Sequence, residues 1–262
     1  MTSENLNQPD AHSQIDWSNP RLKVRNLRKQ YDERVILNGV DLEIYPGQIV
    51  ALIGSSGSGK STMLRCINLI EEISDGQIWL EGRDISVAGI DQDEVRRDVG
   101  MVFQSYNLFA HLSILDNITL ALRHVQGKTK AEADAIAMQW LSRIGLADKA
   151  SSFPDKLSGG QQQRTAIVRA VALNPKLLLL DEVTSALDPE LVGEVLELIR
   201  DLKNSGTTII MATHEMSFAR DVADWVVFLD QGAIVEEGEA AEFFANPKQQ
   251  RTKEFLTRLQ IL

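Results

Sequence analysis

Gly54-Ser55-Ser56-Gly57-Ser58-Gly59-Lys60-Ser61-Thr62 follows the apolar run Ile49-Val50-Ala51-Leu52-Ile53 and precedes a helical-looking segment, Met63 to Leu69. Strand, glycine-rich loop and helix in that order are the setting in which G-x-x-x-x-G-K-[ST] predicts a phosphate-binding P-loop. Gly54, Gly57 and Gly59 let the backbone curl until its N–H groups converge on phosphate oxygens, with no Cβ in the way. The helix that follows presents its unpaired N–H groups to the same anion. Lys60 adds a positive charge for the β- and γ-phosphates, and the Ser61 hydroxyl is placed for Mg²⁺. A flexible Gly/Ser turn is the plain alternative, but the flanking strand and helix favour a nucleoside triphosphate site.

The chain has 262 residues, 44% of them hydrophobic, a net charge of −10 and one cysteine. That is length enough for one large domain or two small ones with a real core. No run approaches the roughly 18 apolar residues of a membrane span. Residues 1–20 lack Lys, Arg and any apolar block, so they predict a disordered tail and no signal peptide. The acidic balance argues against nucleic acid as a partner and against direct adhesion to anionic lipid. Cys66 has no partner for an internal disulfide, which fits a cytoplasmic home, and its apolar neighbours Leu64, Ile67 and Ile70 make it a small core residue.

Alternating residues at Arg21–Leu27, Val40–Ile44 and Gln77–Leu80 predict half-exposed strands of an antiparallel sheet beside the nucleotide core. Val99–Phe103 reads as a buried strand ending at Gln104. From Ser105 to about Ala172 the pattern turns helical. Thr129 with Glu132 forms a capping box, and Ala133, Ile136, Ala137, Trp140, Leu141 and Ile144 share one face before Gly145. Strand character returns at Leu177–Leu180 and at Thr207–Thr213. Between them Asp188-Pro189 starts a helix that turns Leu191, Val195, Leu198, Ile199 and Leu202 inward. A helix joining two buried strands is a βαβ unit, so the core sheet is largely parallel. Trp225–Leu229 and Ala233–Val235 form a hairpin, and helices at Glu239–Ala245 and Gln249–Leu259 close the chain. The predicted fold is α/β, a P-loop NTPase with a mostly parallel core sheet, an antiparallel β subdomain and an inserted α-helical subdomain (about 105–172), all within residues 21–262.

Two further stretches carry chemistry. Leu180-Asp181-Glu182 ends an apolar strand in a carboxylate pair beside the P-loop. Asp181 is placed to hold Mg²⁺ through water, and Glu182 to take a proton from an attacking water. A solvated acidic turn is the alternative there. Leu157-Ser158-Gly159-Gly160-Gln161-Gln162-Gln163-Arg164 is a second anion cradle at a helix start, with Ser158 as N-cap. One nucleotide does not need two cradles far apart in a chain, unless the second serves another subunit. His111 and His124 lack metal-ligand spacing, and His12 lies in the tail; all three read as structural or surface residues.

With these motifs in place the sequence resembles the nucleotide-binding subunits of ABC transporters, from about Leu22 to Leu259. Leu157–Arg164 matches the family's signature motif. The resemblance implies that Gln104 is the Q-loop glutamine, reporting nucleotide state to a membrane subunit and assisting the Mg²⁺. It also implies that Ser185-Ala186-Leu187-Asp188 is the D-loop, that His214 contacts the γ-phosphate and that Tyr31 stacks on adenine. Val102–Phe109 and Arg251–Leu256 look like the branch that imports polar amino acids, from which Val183 and Ala110 depart where that branch carries proline. By this resemblance two copies face each other head to tail and sandwich two MgATP, with Lys60 of one facing Ser158 of the other, and Gly159, Gly160, Gln161 and Asp188 are implied as further nucleotide contacts. Permease subunits spanning the membrane, and indirectly a solute-binding protein, are the implied partners, with the chain peripheral on the cytoplasmic face of the inner membrane. A soluble ABC-type ATPase acting outside transport is the alternative, although those chains carry two cassettes or long coiled coils. A GTPase is excluded by the absence of N-K-x-D.

Overall fold

Alternating apolar and polar residues make β1 (Leu22–Tyr31) and β2 (Arg34–Ile44) an antiparallel pair with one buried face, on which Leu22, Val24, Leu42 and Ile44 lie. The structure, a computed structural model, describes residues 18–259; the expected tail, with His12, otherwise lies outside them. β3 (Ile49–Ile53) and α1 (Lys60–Ile67) flank the P-loop. β4 (Asp75–Leu80) and β5 (Arg83–Asp84) then complete a four-stranded antiparallel sheet of order β2-β1-β4-β5. Helix α1 starts at Lys60, three residues before its apolar periodicity does, and ends where Leu69 adopts φ 56°.

The second sheet has six strands in the order β10-β9-β3-β8-β7-β6, with β6 at Val99–Val102, β7 at Leu177–Asp181, β8 at Thr208–Ala212, β9 at Trp225–Asp230 and β10 at Ala233–Glu239. All its pairings are parallel except β9 with β10. Its central strands are buried along their whole length because both faces are covered. Leu177 and Leu179 point into a core shared with α1 and the antiparallel sheet. Leu178 and Leu180 point the other way, into a larger core. That core is closed by α3 (Ile114–His124), α4 (Lys130–Arg143), α5 (Gly159–Val171), α6 (Pro189–Asn204), α7 (Met216–Val222), α8 (Ala240–Ala245) and α9 (Gln250–Arg258). The short α2 (Gln92–Asp98) leads into β6.

The capping box at Thr129 and Glu132 is present, and Ala133, Ala137 and Leu141 are the buried face of α4. Three expectations change. Residues 105–113, assigned to the helical stretch, form a loop that closes one turn on itself, Leu112 N–H to the Phe109 carbonyl, and is otherwise held by a buried side chain. Asn117 on α3 receives the Phe109 N–H and donates to the carbonyls of Phe109, Leu112 and Ser113. Asp188 occupies the N-cap position of α6 without a side-chain cap bond. Ile70 lies past the end of α1 and is exposed, while Cys66 is fully buried and its thiol is pushed up to about 11 by burial.

Candidate nucleotide-binding and hydrolysis site

Four parallel strands end on one edge of the core sheet, and each delivers a segment singled out from the sequence. The P-loop leaves β3, Thr213 and His214 leave β8, Asp181 and Glu182 end β7, and Phe103 and Gln104 leave β6. The register aligns Leu52 with Ala212 and Ala212 with Asp181, so β8 separates the P-loop strand from the carboxylate strand. Bridging that gap falls to side chains.

The P-loop conformation follows from its glycines. Gly54, Gly57 and Gly59 have φ values of 151°, 77° and 109°. Gly54 sits directly on the end of β9, where a Cβ would lie 2.1 Å from the Leu229 carbonyl oxygen, whereas a Cβ on Gly57 would meet nothing within 4 Å. The two positions therefore differ in kind. Gly54→Ala is expected to lose about 2–4 kcal/mol of stability through overpacking, and Gly57→Ala about 1–2 kcal/mol through its left-handed backbone alone. Urea unfolding of the two variants checks this, and equal losses would contradict the close approach of loop to β9.

Gly59 caps α1 with no side-chain bond, and no acidic residue occupies the first turn. The helix's first N–H groups are thus left for an anion. Lys60 is buried, and its Nζ donates to the carbonyls of Gly54 at 3.0 Å and Ser55 at 3.3 Å. The same ammonium lies 3.5 Å from Oε1 of Glu182. That oxygen is also 2.9 Å from Nε2 of His214, so one carboxylate oxygen joins P-loop, β7 and β8.

Glu182 reaches this point through a left-handed backbone, φ 49°, a conformation that costs a non-glycine residue of order 1–3 kcal/mol. Its own N–H is held by the Ala212 carbonyl, and Ser185 closes the following turn onto the Glu182 carbonyl with both N–H and hydroxyl. Val183, where the resembling branch has proline, is buried in the larger core beside this turn.

Ser61 Oγ donates to Asp181 Oδ1 at 2.6 Å, closing the gap left by β8. Burial raises the Asp181 pKa above the usual carboxylate range, and the Ser61 bond offsets only part of that. A hydroxyl and a desolvated carboxylate, both hard oxygen donors, fit a small divalent cation, which would also compensate the buried charge.

Some expected residues stand apart from this cluster. Tyr31 ends β1 with its ring exposed and the Lys29 ammonium 4.5 Å from the ring centroid. Gln104 is exposed beyond β6. Ser158 and Gln161 form a second capping box at the start of α5, which packs on α3, α4, α6 and β6. Gly160 is a glycine because a Cβ there would lie 3.1 Å from Leu191 on α6. Asp188 is exposed at the start of α6. Tyr106, two residues past Gln104, turns inward, and its hydroxyl donates to the Ala186 carbonyl at 3.3 Å.

Two groups escaped the sequence reading. Asp230 ends the apolar strand β9 as Asp181 ends β7, a pattern that could have marked it; it receives the Ser55 hydroxyl at 3.3 Å. Arg169 donates to the carbonyls of Asn107 and Tyr106 and lies 5.6 Å from the Phe109 ring, and nothing in the local sequence announces it.

Comparison with known proteins places these features in context. The model of the family described as ABC transporter matches residues 37–185, and a model of an AAA domain matches residues 151–220. The glutamine transport ATP-binding protein GlnQ of Geobacillus stearothermophilus is 48% identical over 89% of this chain and 96% of its own length. The L-cystine transport system ATP-binding protein TcyN of Escherichia coli is 50% identical over 90% and 97%. The general L-amino acid transport ATP-binding protein AapP of Rhizobium johnstonii is 48% identical over 91% and 93%. Among solved structures, the dimeric post-hydrolysis state of the ATP-binding cassette MJ0796, bound to ADP and Pi, superposes with a TM-score of 0.74 at 33% identity. It covers 84% of this chain and 98% of that one.

Proposed function

The chain belongs to the ABC transporter ATP-binding family, and from that premise we propose that it is the ATP-hydrolysing subunit of an importer of polar amino acids. The observation that carries the hydrolytic part is the Lys60–Glu182–His214 cluster beside the P-loop. The curated relatives, named for glutamine, cystine and general amino-acid transport, support the cargo class and disfavour an ATPase outside transport.

In this reading the N–H groups of Gly54 to Thr62 and the Lys60 ammonium hold the phosphates of ATP, and Tyr31 stacks on the adenine. Ser61, Asp181 and Gln104 would hold Mg²⁺, which neutralises charge on the β- and γ-phosphates when bound. Glu182 accepts the proton of the attacking water, and His214 holds the Glu182 carboxylate on one side and the γ-phosphate on the other. Ser158, Gly159, Gly160, Gln161 and Asp188 serve the nucleotide of a second copy, an arrangement supported by the dimeric neighbour.

None of the helices among the described residues is long and apolar enough to cross a membrane, so passage of a solute falls to partner chains. An open groove of 910 Å³ runs beside β6 and α3, walled by Ile70, Met101, Phe103, Phe109, Leu120 and Val125. Ile70, Phe109 and Val125 expose more than two fifths of their surface there, a contiguous apolar patch of the kind that marks a contact surface. We assign it to the membrane-spanning permease; Tyr106, facing the D-loop, is not part of it. The chain then sits on the cytoplasmic face of the inner membrane, and solute capture falls to a separate binding protein.

The test is co-purification from membranes with identification of the partner chains, run beside a Phe109→Asp, Val125→Asp variant. The variant is expected to release phosphate in solution as the unaltered chain does while losing the partners and amino-acid uptake. Full retention and uptake by the variant would remove the groove from the proposal, and absence of any membrane partner from the unaltered chain would remove transport.

A further inference from the structure

The P-loop's backbone is braced from outside by the turn after β9. Gly54 packs on the Leu229 carbonyl, and the Gly232 N–H donates to the Ser58 carbonyl at 3.1 Å. The loop has three serines before Lys60. Ser56 is exposed, and the Ser58 hydroxyl is buried without a hydrogen-bond partner. Ser55 alone of the three joins its hydroxyl to a side chain outside the loop, Oδ1 of Asp230. The other oxygen of that carboxylate, Oδ2, receives Nε of Arg251 at 2.7 Å.

Arg251 lies in the first turn of α9, and that helix is anchored independently. The Glu236 carboxylate accepts the N–H groups of Lys248 and Gln249 at 2.7 and 2.9 Å, fixing the entry to the helix. Phe255 stacks on Phe228 of β9 with ring centroids 4.7 Å apart, and Leu256 is fully buried. An anchored helix thus holds a guanidinium against a nearly buried carboxylate, which in turn holds a hydroxyl of the phosphate loop.

We propose that Arg251 is a positioning residue for nucleotide binding, acting from the C-terminal helix through Asp230 on Ser55. The physical need is entropic. Three glycines leave the loop with more backbone states than other residues would, and each must be frozen before its N–H groups converge on phosphate. A side chain pinned from outside removes part of that freedom before the ligand arrives. The Arg251 hydrogen bond holds the Asp230 carboxyl below its usual range and engages Oδ2, which leaves Oδ1 turned to Ser55.

The inference rests on reading Gly54–Thr62 as the phosphate loop, and the test separates the two. Purified full-length chains carrying Arg251→Ala, Arg251→Lys, Ser55→Ala and the Arg251→Ala, Ser55→Ala pair are compared by KM and kcat for ATP hydrolysis and by affinity for a fluorescent ATP analogue. Arg251→Ala is expected to raise KM and weaken analogue binding about 3- to 10-fold, the weight of one hydrogen bond, with kcat within about twofold. Arg251→Lys should recover part of the loss, since it keeps the charge without the planar contact. Ser55→Ala should shift KM in the same direction, and the pair should be no worse than the more affected single variant. A lowered melting temperature with unchanged KM, or additive shifts in the pair, would overturn the proposal. If Arg251→Ala does not fold, Arg251→Gln is read by the same split and the same pairing. Failure of the unaltered chain to bind the analogue would overturn the phosphate-loop reading itself.

Discussion

Glu182→Gln is expected to bind ATP as the unaltered chain does and to hydrolyse it about 10²- to 10⁴-fold more slowly, the range that general-base catalysis supplies. The substitution keeps the side chain's shape and leaves an amide oxygen where His214 and Lys60 now meet a carboxylate. What it removes is a group able to take a proton from water. Lys60→Ala is the contrasting variant. The ammonium would meet the phosphates in ground and transition states alike, so its loss should weaken ATP affinity as well as turnover. Phosphate release and binding of a fluorescent nucleotide, measured on both chains, separate the two roles. Equal loss of affinity in both variants would show that Glu182 serves binding and not the chemical step.

A larger contrast is expected from mixed dimers, since the surviving activity should appear in one pairing and vanish in the other. Ser158 caps α5, which packs on α3, α4, α6 and β6, and among the described residues its hydroxyl bonds within its own capping box, to the Gln161 N–H. If the second cradle serves the partner, as we propose, Lys60 of one chain works with Ser158 of the other. Pairing a Lys60→Ala chain with a Ser158→Arg chain then places both lesions in one site and leaves the other whole, so ATPase activity persists. Pairing a chain that carries both substitutions with an unaltered chain places one lesion in each site, and activity is lost. Self-contained sites predict the reverse order. Differently tagged dimers purified through both tags allow the rates to be compared directly, and activity confined to the second pairing would exclude a shared site.

Much of this molecule was legible before any coordinates, and for a physical reason. A P-loop binds phosphate with consecutive backbone N–H groups, so its function is written in residues adjacent in the chain, and strand, glycines and Lys60 declare it together. The buried parallel strands were equally plain. Leu177–Leu180 and Ile209–Ala212 are apolar at every position because both faces of their sheet are covered. The caps at Thr129 and Ser158 are local as well, each a side chain bonding three residues ahead.

What the sequence left undecided are the relations between segments far apart in the chain. Ser61 meets Asp181 across 120 residues, and does so only because β8 inserts between β3 and β7 at a spacing a hydroxyl and a carboxylate can bridge. The positive φ of Glu182, which aims its carboxylate at Lys60 and His214, is likewise set by packing around Val183 and the bond to Ala212. Tyr106 and Phe109 are aromatic residues three apart in one loop, and the fold sent the first to the Ala186 carbonyl and the second to the groove. Asp230 and Arg251 gained a connection to the P-loop because β9 lies on the far flank of β3 and α9 folds back over it. Sequence patterns determine which segments become strands, helices and phosphate loops, since those depend on neighbours along the chain. Which side chains then face one another depends on strand order and register, and only the folded sheet supplies those.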